Sequence, residues 1–228
     1  MIFPYKFIDL THVLDASIPT WSAQCGFHHD IYKNYSDCSG EDKFRVMKVA
    51  MYAGIGTHMD APSHCIEGAA NIHDFDLNQL IQACFVIDIS DICHERYSLS
   101  VEDIINFERQ YGSITAGSCV IVKTGWSMYW KDPVKYHNNH MFPSVSHQAA
   151  QLLLERGVAA LGIDTLSLDR PEDGFKVHQA FLGAGKFLLE NVANLEHMPP
   201  TGSFVITFPL NIKDGTEAPV RLAGLVKK

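Results

Sequence analysis

Two short apolar runs constrain the fold of this chain more than anything else in it. Cys84-Phe-Val-Ile-Asp-Ile-Ser90 and Ser118-Cys-Val-Ile-Val-Lys-Thr124 are nearly continuous and rich in β-branched residues. Runs of that kind do not alternate apolar with polar, so they read as strands buried on both faces. Such strands need a layer of other structure on each side. Val158 to Ile163, Gly202 to Phe208 and Val220 to Val226 read as further strands, and Phe44 to Met51 alternates in part, as a half-buried strand does.

Helical patterns fall between these strands. Ser100 and Asp103 make a capping box ahead of Ile104, Ile105 and Phe107, in a segment that ends near Gly112. Ser146 caps a second helix through Ala149, Ala150, Leu152, Leu153 and Leu154, which Gly157 terminates. Strands interleaved with helices predict an α/β fold, a mixed β-sheet with flanking helices. No linker divides the 228 residues, so one domain is expected over residues 1–228. Val13 to Cys38 and Thr124 to Pro143 lack periodicity, and long irregular stretches are often functional walls or lids. Trp21, Phe27, Trp126, Tyr129 and Trp130 in these stretches either line a substrate pocket or anchor the loops to the core.

A net charge of −8 opposes nucleic acid and anionic membrane surfaces as partners, and basic residues form no run. The apolar runs are too short to span a bilayer, and the opening Met-Ile-Phe-Pro-Tyr-Lys lacks the pattern of a signal peptide. The expected compartment is therefore the cytoplasm. Six cysteines without a CxxC pair read as free thiols of a reducing compartment.

Chemistry concentrates in Gly54-Ile-Gly-Thr-His58-Met-Asp60-Ala-Pro-Ser-His64. If residues 58 to 60 are extended, His58 and Asp60 share a face, because side chains alternate with period two. An imidazole beside a carboxylate suits Zn²⁺ or Mn²⁺, although a hydrogen-bonded loop histidine would show the same spacing. Gly54 and Gly56 permit close backbone approach, Pro62 stiffens the exit, and His64 stands near enough to act as acid or base.

This segment resembles the HxGTHxDxPxH signature of the cyclase superfamily of metal hydrolases, which includes bacterial kynurenine formamidase and isatin hydrolase. The resemblance extends along nearly the whole chain. Ile8-Asp-Leu-Thr-His12 is similar to the family's opening strand, and Gly162-Ile-Asp-Thr-Leu-Ser-Leu-Asp169 to its Gly-Ile-Asp-Thr-x-Ser-x-Asp segment. His178 and Glu190-Asn191 match its distal His and Glu, and Ala218-Pro-Val-Arg221 its closing motif. The resemblance implies the swivelling β/β/α fold of the family and a divalent metal, Zn²⁺ first and Mn²⁺ second, as one or two ions. It implies His58 as ligand of the first ion, Asp60 as a bridge, His178 and Glu190 at the second, and His64 as general acid/base. Asp60 and His64 are the residues on which turnover should depend. It further implies a small amide, lactam or lactone as substrate, a carbon–nitrogen bond ahead of an ester, and a homodimer or homotetramer.

One position departs from the signature: its first histidine falls at residue 54, which is glycine here. A ligand is therefore missing from the first site. Cys25 is the preferred substitute, since a thiolate binds Zn²⁺ strongly, with His28 or His29 as alternatives and Tyr52 nearby but a poor ligand. The rival to an enzyme is a relative that keeps metal or a small ligand without turnover.

Overall fold

The computed structural model describes residues 3–228. The strands are β1 (Tyr5–Asp9), β2 (Phe27–Lys33), β3 (Val46–Met51), β4 (His58–Asp60), β5 (Ile81–Asp88), β6 (Ser98–Leu99), β7 (Cys119–Lys123), β8 (Ser144–Val145), β9 (Ala160–Ile163), β10 (Phe187–Glu190), β11 (Ser203–Pro209) and β12 (Glu217–Lys227). The α-helices are α1 (Val101–Tyr111), α2 (Pro133–His137), α3 (His147–Glu155) and α4 (Lys176–Gly183).

The main sheet is mixed, in the order β1-β12-β11-β5-β7-β9-β10-β4. Strands β5, β7, β9 and β10 run parallel to one another, whereas β11, β12, β1 and β4 pair antiparallel with their neighbours. The first residues of β12 also pair with β4, so the sheet closes on itself as a barrel. β1 pairs further along the long strand β12, outside the closed ring.

The apolar runs that constrained the fold sit at its centre. Along β7, Val120 and Val122 pack outward with Phe107 of α1, Leu153 of α3 and Phe181 of α4. Cys119 and Ile121 point the other way, into the barrel, with Val86, Leu189 and Val205. Both faces are buried as expected, and each such aliphatic side chain contributes about 1.5–3 kcal/mol relative to exposure. Helix α1 begins at Ser100, whose hydroxyl accepts from the Asp103 N–H at 3.2 Å while Asp103 accepts from the Ser100 N–H at 2.8 Å. Ser146 caps α3 in the same manner.

Two readings of the sequence change. Residues 46–51 form a strand, but it pairs with β2 as a separate two-stranded ribbon and is exposed on both faces rather than half-buried. Most of the loop aromatics are anchors: Phe27 packs with Ile18 and Ile55, and Trp126, Tyr129 and Trp130 pack on Tyr136, Phe142 and Leu166. Asp164 holds the start of the second irregular stretch by accepting from the N–H groups of Thr124 (2.8 Å) and Gly125 (2.9 Å). Among the described residues all six cysteines are free, and no helix is long and apolar enough to cross a membrane.

Candidate metal centre

The site is assembled by strand register. Residues 58–60 are extended, so Met59 enters the barrel core while His58 and Asp60 project from the opposite face. On one side β10 places Glu190 directly across from His58; on the other β12 places Glu217 directly across from Asp60. Side chains directly opposite on adjacent strands lie close enough to interact. Three carboxylates and an imidazole therefore converge from three strands. Helix α4 brings His178 over the same point.

The distances describe one continuous cluster. His58 Nε2 lies 3.4 Å from Asp60 Oδ1 and 3.4 Å from Glu190 Oε2. His178 Nε2 lies 3.7 Å from Asp60 Oδ2 and 3.3 Å from Glu190 Oε1. Donor atoms of Asp60, His178 and Glu190 fall within 4.8 Å of one another, and so do those of His58, Asp60 and Glu217. Asp60 belongs to both sets, as a bridging ligand must.

The outer hydrogen bonds fix which ring atoms face inward. His58 Nδ1–H donates to the Gly56 carbonyl at 2.8 Å, and His178 Nδ1–H donates to Asp169 Oδ2 at 2.8 Å. Both rings then present Nε2 to the cluster, the arrangement found around metal-binding histidines. The Gly56 carbonyl also accepts from Asn191 Nδ2 at 2.9 Å, and Gly56 itself has φ +60°, where a side chain would meet Leu14. Asp169 accepts in addition from the N–H groups of Val177 (3.1 Å) and His178 (2.9 Å), pinning the start of α4.

Electrostatics point to a cation. Asp60 is 1% exposed, yet neither of its oxygens has a hydrogen-bond partner. A buried, unpaired carboxylate is expensive unless it is neutralised or coordinates a metal. Burial alone would drive charge off His58, but the Asp60 carboxylate and then Glu190 outweigh it and raise its pKa to about 10. Burial likewise opposes charge on His178, and Asp169 and Glu190 raise it well above its ordinary value. The pKa of both imidazoles is thus raised by the carboxylates that face them. The donor set of two imidazoles and three carboxylates, with two orphaned oxygens at its centre, fits one or two divalent ions.

His64 follows Pro62 in a 3₁₀ turn that starts just after β4, and it stands at the edge of the cluster, partly exposed. Its Nδ1 lies 3.2 Å from Glu217 Oε2. That contact with the Glu217 carboxylate is the main cause of its raised pKa, against the opposing effect of burial. Beside the cluster opens a cavity of about 700 Å³, within the range of small-ligand sites. Its apolar walls include Pro19, Trp21, Ile55, Leu166 and Phe175. Of the loop aromatics named from the sequence, Trp21 alone is among the lining residues.

The structure brings His58, Asp60, His64, His178 and Glu190 together, as the motif match implies. It does not bring Cys25 to them. Cys25 is exposed, its thiol 3.2 Å from the Phe27 carbonyl and 3.9 Å from His28 Nδ1, and it lines a different hollow beside Pro133 and His137. The physical reason is that the loop carrying Cys25 runs directly into β2, in a ribbon apart from the barrel. Sequence reasoning missed Glu217 and the orienting role of Asp169. Asp169 stood in a recognised motif, but Glu217 carried no local signal, since only the β4–β12 register brings it to the site.

Comparison with known proteins agrees with this geometry. The family model described as "Putative cyclase" matches residues 8–170. Isatin hydrolase of Roseibium aggregatum is 30% identical over 188 residues, covering 76% of this chain and 72% of that protein. Kynurenine formamidase of Bacillus cytotoxicus is 24% identical over 223 residues, covering 95% of each chain. The solved structure of isatin hydrolase A from Labrenzia aggregata bound to benzyl benzoate superposes with a TM-score of 0.89 at 26% identity, covering 99% of this chain and 95% of that one.

Proposed function

This chain belongs to the cyclase family, and from that premise we propose that it is a metal-dependent hydrolase of the carbon–nitrogen bond of a small amide or lactam. The observation that carries the reading is Asp60, buried, without a hydrogen bond and shared between two histidine–carboxylate sets. His58, Asp60, His178 and Glu190 would hold the metal. A divalent ion bound there supplies a Lewis acid for a carbonyl oxygen and brings the pKa of water down toward about 7.

The chain's own groups do the rest. The Gly56 carbonyl and Asp169 keep both imidazoles in the tautomer that leaves Nε2 free of its proton once the carboxylates are neutralised. Glu217 Oε2, 3.2 Å from His64 Nδ1, raises the pKa of that ring and so favours its protonated form. His64 Nε2 is then the atom placed to hand a proton to a departing nitrogen, the step that amide cleavage needs most. Trp21, Ile55, Leu166 and Phe175 exclude water from one side of the cavity and give a flat ring apolar surfaces to lie against. That wall supports an aromatic substrate such as isatin or an N-formyl arylamine.

The reading extends to Zn²⁺ or Mn²⁺ as the ion, to a cytoplasmic location and to a homodimer or homotetramer. Assembly is supported by the exposed apolar residues Ile31, Tyr32, Val46, Met47 and Val49 of the β2–β3 ribbon. A non-catalytic binding relative was the alternative raised by Gly54, and the carboxylate of Glu217 beside that glycine speaks against it.

Activity against an amide and lactam panel, with Mn²⁺ or Zn²⁺ supplied, tests the proposal. Asp60→Asn and His64→Ala are expected to lower kcat by about 10²-fold or more while leaving the circular-dichroism melt of His64→Ala nearly unchanged. Undiminished turnover in both variants would overturn the mechanism.

A further inference from the structure

Position 54 and position 217 form a reciprocal pair. A Cβ built on Gly54 would overlap Glu217 Oε1, and it would also lie 3.4 Å from His58 Nε2. The carboxylate of Glu217 therefore occupies the space that a side chain at residue 54 would enter, on the side facing His58. This is the position at which the family signature carries its first histidine. The backbone of β12 delivers Glu217 there because its register with β4 pairs residue 217 with Asp60.

From this geometry we infer that Glu217 takes the place of the missing histidine as a ligand of the first metal ion, so that the ligand has moved from the β3–β4 loop to strand β12. The inference rests on the metal-dependent reading above. A second observation supports it: Asp60, 1% exposed, turns two oxygens without a hydrogen bond toward the donors of both sets, His58 and Glu217 in one and His178 and Glu190 in the other. The two halves of the centre then have matching donors, one imidazole and one glutamate each, with Asp60 shared between them. Such a set is richer in oxygen than one with a third imidazole, which moves its preference toward harder ions such as Mn²⁺.

Glu217 also has a second task. Its Oε1 faces residue 54 and His58, while its Oε2 lies 3.2 Å from His64 Nδ1. One carboxylate thus spans the metal centre and the group that transfers the proton. A histidine at position 54 could fill the first task but would leave His64 without this partner.

Counting bound metal tests the inference without recourse to activity. Chelator-stripped wild type, Glu217→Gln, Gly54→Ala and the double variant Gly54→His with Glu217→Gly are each titrated with MnCl₂ by calorimetry. The ions retained after desalting are then counted by plasma mass spectrometry. Wild type is expected to hold about two ions per chain and Glu217→Gln about one, with the double variant returning to about two and gaining preference for Zn²⁺ over Mn²⁺. Gly54→Ala keeps Glu217 in the chain but displaces its carboxylate, so it too is expected to fall to about one ion. This variant serves as the readout if Glu217→Gln melts below the assay temperature. Two ions at wild-type affinity in both single variants would overturn the inference. A single ion in wild type that survives both substitutions would overturn it too while leaving the metal-dependent reading in place. Failure of wild type to bind either Mn²⁺ or Zn²⁺ would overturn both.

Discussion

His178 shows how much of the centre depends on residues that never touch it. Its ring is held by Asp169, which simultaneously caps the first turn of α4, so that helix position and ring tautomer come from one carboxylate. Asp169→Asn keeps a hydrogen-bond acceptor but loses the charge that makes the ring a strong donor. The expected result is a drop of about 10- to 100-fold in the affinity of one metal ion, the other being nearly unaffected, measured by competition with a metal-sensitive dye. The residues of the candidate centre were legible in the sequence to different degrees. Strand periodicity put His58 and Asp60 on one face, and the resemblance to the family's separated motifs singled out that pair together with His64, His178 and Glu190. Cys25 was attractive on ligand chemistry alone, but its thiol lies 3.9 Å from His28 and lines a different hollow. Glu217 could not be read because its role depends on pairing between strands far apart in the chain, which no local pattern encodes.

Among the elements, those with their own start and stop signals were the readable ones. Helix α1 runs from its Ser100 cap to Gly112, as the capping box predicts. Since α1 packs on the outer face of the sheet, among Ile104, Phe107 and Leu153, its cap is remote from the chemistry. Ser100→Ala is expected to cost about 1 kcal/mol, seen as a fall of about 2–4 °C in Tm with kcat/KM unchanged. By contrast, α4 and β10 give almost no local signal. Strand β10 is Phe-Leu-Leu-Glu, four buried residues with no alternation, and α4 starts without a side-chain cap of its own because Asp169 serves it from outside. These two elements carry His178 and Glu190. Strand β3 was misjudged in the opposite sense, its partial alternation suggesting a buried face where the ribbon leaves both faces exposed.

At the scale of the whole molecule, the buried charges make stability depend on metal and pH together. In metal-free protein, burial opposes the charge on His58, but Asp60 and Glu190 raise its pKa from 6.5 to about 10. A group whose pKa is raised on folding favours the folded state most fully below its unfolded value, so this contribution is complete below about 6.5 and disappears as pH rises through about 10. The Tm of stripped protein is therefore expected to fall between those limits. Protein saturated with Mn²⁺ is expected to show the opposite trend at the acid end, where protons compete with metal for the ligands. Differential scanning fluorimetry of the two forms across the same buffers separates them. The closing strand gives this coupling a mechanical side. Three residues of β4 join β10 to β12, and the side chains at that seam are the ones that converge on a single point. An ion held there would act as a keystone: its loss would loosen the arch, so an inactivated molecule would also be one more easily unravelled.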